Sequence, residues 1–209
     1  MKRFLAGFVA ALIVASVAIG GFLSLGFVSF ATDEPHSRFL TSLISMLRER
    51  SIARAAADIV VPPDLDSPAR ALRGAGNYDA MCVGCHLKPG NDDTEIRRGL
   101  YPKPPALTVP AAENENRDAR RFWIVKHGIK GSGMSAWAKG GIEDESIWDL
   151  VAFMRQLPQL SNADYLARVQ ASGGHAHAGL NNAMATAGEQ HPGANTPAHS
   201  HTNHKHPPH

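Results

Sequence analysis

The run Cys82-Val83-Gly84-Cys85-His86 holds the only two cysteines of the chain, two residues apart, with a histidine directly after the second. Three chemistries use a Cys-x-x-Cys pair. A redox dithiol sits after a strand in a βαβ setting, and no such setting is visible here. Half of a zinc site needs two further ligands at matching spacing, and there is no second cysteine pair. Haem attachment needs the histidine immediately after the second cysteine, and His86 supplies it. The geometry accounts for the spacing. Two thiols one short turn apart reach the two vinyl groups of a porphyrin, and the next residue then lies beneath the iron. The expected cofactor is one haem c, covalently attached through Cys82 and Cys85 and ligated by His86.

Haem iron in an electron carrier takes a second axial ligand, which closes it to substrate. The candidates are His and Met residues downstream of His86. Met134 stands in Gly131-Ser132-Gly133-Met134-Ser135-Ala136-Trp137, a stretch without apolar periodicity that reads as a loop. A methionine there is hard to explain as core filler. His127 competes, at an expected helix end where a cationic or hydrogen-bonding His is ordinary. Met81 precedes Cys82 on the wrong side of the ring, and Met154 belongs to an apolar stripe. A His/Met pair should hold the reduction potential above zero, since a soft thioether favours ferrous iron.

The elements that must position these residues are helical. Ser67 can cap a helix that starts at Pro68 and runs to Met81, delivering the chain into the cysteine turn. A second helix is expected over Asp118–His127, ended by Gly128. Ile147, Leu150, Val151, Met154 and Leu157 make one apolar stripe at helical spacing, after Glu143, Asp144 and Glu145 in the turn where the dipole favours negative charge. Pro158 closes it. Between the first two helices lies a Pro- and Gly-rich region that reads mostly as loop.

This arrangement resembles the class I (monohaem) c-type cytochromes over about Ser67 to Leu160. Gly74, Tyr78 and Cys82 match that family's spacing on its first helix. Leu150 and Phe153 match the aliphatic and the aromatic that its last helix packs at the Gly. The physical sense is independent of the family, because a Gly lets two helix backbones approach closely. The Met134 loop resembles the family's methionine-ligand loop, with Ser135 where Pro is frequent. The resemblance implies a cytochrome c fold of 3–4 helices around the haem, with Cys82, Cys85, His86 and Met134 binding it. It also implies that the free nitrogen of His86 bonds a carbonyl near a proline, with Pro104 and Pro105 equally placed. Tyr101, Arg97, Arg98 and Trp123 are open candidates for the propionates.

From Phe4 to Ala31 no charged residue occurs, and about 20 apolar residues suffice to cross a bilayer. Lys2 and Arg3 before the span and Asp33-Glu34 after it favour the N-terminus inside and the remainder outside the cytoplasm. A cleaved signal peptide is the rival, with Ser29 and Ala31 as small-x-small residues, although the apolar stretch exceeds the usual h-region. Phe39, Leu40, Leu43, Ile44 and Leu47 recur at helical spacing among arginines. They predict a juxtamembrane helix over about Pro35–Ala57, either a stalk or packing helix or one lying on anionic headgroups. Val61-Pro62-Pro63-Asp64-Leu65-Asp66 reads as an extended linker. Eight of the eleven histidines follow Gly173 in a segment too poor in large apolar residues to order itself. It reads either as a weak Cu, Ni or Zn binder or as a tail without that role.

The expected organisation is therefore an all-α chain: anchor or signal at 1–31, juxtamembrane helix and linker at 32–66, cytochrome c domain at 67–160 and disordered His-rich tail at 161–209. A net charge of +2 gives no push towards nucleic acid. The expected role is electron transfer on the periplasmic side of the inner membrane, between transient redox partner proteins and without enzymatic activity of its own. The alternatives are a haem peroxidase, the cytochrome subunit of a membrane-bound dehydrogenase complex, or a metal-binding redox protein acting through its tail.

Overall fold

The structure, a computed structural model, describes residues 1–26, 29–110 and 116–175. The described residues form helices, turns and loops and no strand. Helix α1, Lys2–Ser24, is long and apolar enough to cross a membrane and buries none of its residues against the rest of the chain. Helix α2 is Arg38–Ala55, with Ser37 Oγ accepting from the Leu40 amide at 3.3 Å. The haem-motif domain contains α3 (Pro68–Met81), the single turns α4 (Val83–His86) and α5 (Glu95–Gly99), α6 (Arg117–His127), α7 (Asp144–Gln156) and α8 (Asn162–Ala171).

The core is built where α3 crosses α7. A Cβ on Gly74 would lie 2.1 Å from the Asp149 carbonyl oxygen, so only glycine permits the backbones to come this close. Tyr78, Ile147, Leu150, Val151, Phe153 and Leu157 are fully buried around the crossing. Charge closes its edge: Arg73 grips Asp149 through two bonds of 2.8 Å. Arg70, nearly buried, reaches Asp149, Asp64 and Glu145. On the far side of α7, Trp148 stacks on Phe122 of α6 at 4.2 Å between ring centroids.

Three expectations change. The tail does not begin at 161, because α8 packs on the domain. Ser161 caps it by accepting from the Asp164 amide at 3.1 Å, and Tyr165 is fully buried beside Tyr78 and Phe153, donating to Asp79 at 2.8 Å. One buried aromatic and a cap order this helix, which has no long apolar stripe to announce it. The linker is not extended: Leu65 is buried, its amide returns to the Pro62 carbonyl at 3.2 Å, and Asp64 pairs with Arg70. Ser67 occupies the cap position of α3 but makes no side-chain cap bond; its carbonyl closes the first turn on Ala71 instead. The His-rich stretch lies outside the described residues except for His175, whose ring bonds Asn77 at 3.0 Å.

Candidate functional site

Helix α3 carries the chain to Cys82, and the backbone then turns at once. The amides of Cys85 and His86 both return to the Cys82 carbonyl, at 3.1 and 2.8 Å. This brings Cys82, Cys85 and His86 onto a single turn. Both thiols are free. Burial, with Cys85 beside it, pushes the Cys82 thiol up to about 12.

The histidine is oriented by its surroundings. His86 Nδ1 lies 2.8 Å from the Pro105 carbonyl oxygen. A carbonyl only accepts, so Nδ1 carries the proton and Nε2 keeps its lone pair. Burial lowers the imidazole pKa, the Pro105 carbonyl opposes this, and the Arg97 charge adds to the lowering. A neutral imidazole with a free Nε2 is the form that binds a metal. The partner of His86 is Pro105, while the neighbouring Pro104 carbonyl accepts from Arg97 Nε at 3.0 Å.

The backbone of the turn is held on both sides. The His86 carbonyl accepts from the Leu107 amide at 3.0 Å. The Tyr78 hydroxyl donates to the Leu87 carbonyl at 2.8 Å, and Leu87 is buried with φ +69°. Burial also raises the Tyr78 pKa, so the hydroxyl remains a donor. Thr94, which caps α5, donates its hydroxyl to the Gly84 carbonyl between the two cysteines. Asp93 beside it accepts from Lys103 and Arg97.

Met134 is half-buried against the hydrophobic cluster that also receives Met81, Cys82, Val83 and Leu107. Its loop is closed by bonds of its own. The Met134 carbonyl accepts from the Ile129 amide at 3.1 Å, and its amide donates to Ser132 Oγ at 3.1 Å. Gly128, at φ +67°, does more than stop α6: a Cβ there would lie 2.7–2.8 Å from backbone atoms of Met134, Ser135 and Ala136. His127 is exposed on α6, its ring 5.1 Å from that of Trp123 on the same helix. Of the propionate candidates, Arg97 is engaged with Asp93 and Pro104, and Tyr101 meets Thr41 and His36 ahead of and within α2. Sequence reasoning missed Thr94, Ser132 and the second role of Gly128. The only signal for the last was its place three residues before the glycine-rich loop.

These residues fit a covalently held haem: free thiols on one turn, a neutral imidazole with its outer nitrogen fixed, and a thioether on a braced loop at the same cluster. Residues 69–154 match the family model described as cytochrome c oxidase, cbb3-type, subunit III. No curated protein and no solved structure gives a match. The matched stretch takes in α3, the cysteine turn, the Met134 loop and most of α7, and leaves α1, α2 and α8 outside. The chain thus carries a c-type cytochrome domain with covalently bound haem c, behind an apolar helix that fits membrane anchoring, and its chemistry is haem-based electron transfer.

Proposed function

We propose that this is a membrane-tethered monohaem electron carrier of the periplasmic side, with His86 and Met134 as axial ligands and Cys82 and Cys85 as the thioether sites. The observation that carries the reading is the His86–Pro105 bond on the same turn as both thiols. It fixes the tautomer and the ring plane, the orienting device that metal-binding histidines use. When bound, the haem iron supplies a one-electron ferric–ferrous couple. Cys82 and Cys85 hold the group against loss, each thiol adding across one vinyl group with its proton passing to the vinyl carbon. Met134, on a loop fixed by Ile129, Ser132 and Gly128, would bind the iron through its thioether and keep water and substrate from it. With His86 and Met134 both bound, the domain would transfer electrons and would not activate peroxide.

The Lys2-Arg3 pair before the apolar span supports an orientation with the haem domain outside the cytoplasm, where exported thiols meet haem. A second reading is favoured by the family match: the matched model describes an oxidase subunit, so the domain would feed electrons within a membrane complex and not shuttle freely. Mass spectrometry of the full-length protein tests the attachment. A single haem-mass addition is expected, abolished in Cys82→Ala/Cys85→Ala. Addition of a second haem mass, or none, contradicts the reading. Purification from native membranes separates carrier from subunit, since only a subunit stays with a partner after mild extraction.

A further inference from the structure

Helix α2 has two unlike sides. One side is docked on the domain. Ile52 is 3% exposed, Glu49 pairs with Arg120 of α6, and Thr41 meets the Tyr101 hydroxyl at 3.4 Å. The other side is bare. Phe39, Leu40, Ile44 and Leu47 are exposed on it, Phe39 by 79% and Leu47 by 56%, while Leu43 is half-buried. Phe39 and Leu47 are thirteen and five residues from Ile52, which at about 100° per residue turns each roughly 140° away from it. The stripe therefore points away from the only body the helix touches among the described residues.

Its surroundings are cationic. The helix carries Arg38, Arg48, Arg50 and Arg54 against Glu49 alone. Glu49 is taken by Arg120 and Arg48, while Arg38, Arg50 and Arg54 are exposed. An exposed apolar stripe with exposed arginines on the same face is the composition of a helix that lies in the plane of an anionic bilayer. The position in the chain agrees. Thirteen residues separate Ser24, the end of α1, from Arg38, which keeps α2 within about 45 Å of the membrane even fully extended.

We propose that α2 is an interfacial helix: Phe39, Leu40, Ile44 and Leu47 enter the headgroup region of an anionic bilayer, and Arg50 and Arg54 meet the lipid phosphates. The proposal rests on α1 being a membrane helix. Its consequence follows from the contacts at the first turn of α2. Tyr101, which meets Thr41 and His36, begins the segment that ends in Pro105, the acceptor for His86. The haem domain is then held beside the membrane through the docked side of α2, and does not swing on a free tether.

The test uses the full-length haem-loaded protein in vesicles of phosphatidylcholine and phosphatidylglycerol. Leu47→Cys, Phe39→Cys and, as a control, Ser42→Cys each receive an environment-sensitive fluorophore, since Cys82 and Cys85 are consumed by haem. All three positions are exposed, so folding is not at risk. Quenching by lipids brominated on their acyl chains is compared with quenching by aqueous iodide, the ratio cancelling any loss to haem. A ratio several-fold higher at positions 39 and 47 than at 42, falling in pure phosphatidylcholine and in Arg50→Gln/Arg54→Gln, is the expected result. Equal iodide quenching at all three positions with the protein floating in the vesicle fraction overturns the proposal. So does shielding of position 47 from both quenchers, which would mark a protein partner or a second copy. Protein that fails to float with the vesicles contradicts the α1 reading instead.

Discussion

At the scale of single residues, the contacts around His86 and Met134 give the most direct expectations. Gly128 sits at φ +67° with no room for a Cβ beside the Met134 loop. Gly128→Ala should cost about 1–3 kcal/mol. Its signature should be loss of the sulfur-to-iron charge-transfer band of the ferric protein at unchanged helix content. Retention of that band in a folded variant would mean that Gly128 does not brace the loop. Asp93 gives a pH expectation. Its hydrogen bond from Lys103, reinforced by Arg97 and the Thr94 amide, holds the carboxyl well below the usual range. A depressed carboxyl stabilises the fold at pH above the unfolded value of about 3.9, and that contribution is lost as pH falls through the folded value. Asp93→Asn should therefore reduce urea stability at neutral pH and flatten its decline in acid. Parallel acid limbs for the two proteins would contradict this. The Cys-x-x-Cys-His run was legible in the sequence because covalent attachment allows so little variation. The carbonyl partner of His86 was not, because two adjacent prolines offer the same group and only the folded loop sets which one faces the ring.

At the scale of elements, the α3–α7 crossing was legible from Gly74, Tyr78, Leu150 and Phe153, since close approach of helices requires a small residue facing large ones. Gly74→Ala would drive a methyl into the Asp149 backbone. A loss near the upper end of the ~1–3 kcal/mol typical of overpacking is expected in denaturant titration; a near-neutral result would place the crossing elsewhere. Helix α8 was not legible. Its apolar residues are few, Pro158 had already announced a stop, and the element is ordered by the tertiary contact of Tyr165. Tyr165→Ala removes a buried ring against Tyr78 and Phe153, for which roughly 3–5 kcal/mol is expected. A chain ending at 160 should lose at least as much, and one ending at 175 should keep the stability of the full chain. Equal melting temperatures for the two truncations would remove α8 from the domain.

At the scale of the whole molecule, α2 follows the apolar helix in the chain and docks on the domain that carries the cysteine turn. A helix long and apolar enough to cross a membrane was readable from the uncharged span. Attachment of α2 to the domain was not, because Ile52, Glu49 and Thr41 make a docked side too narrow to stand out in a periodicity. The central claim is that a His86/Met134-ligated haem c passes single electrons and binds no substrate. Spectroelectrochemical titration of the full-length protein beside Met134→Ala tests it most directly. The expected result is a one-electron couple above zero with low-spin spectra and the sulfur-to-iron band, the variant losing the band and shifting to lower potential. A negative midpoint, or a high-spin ferric spectrum in the unaltered protein that Met134→Ala leaves unchanged, would contradict it.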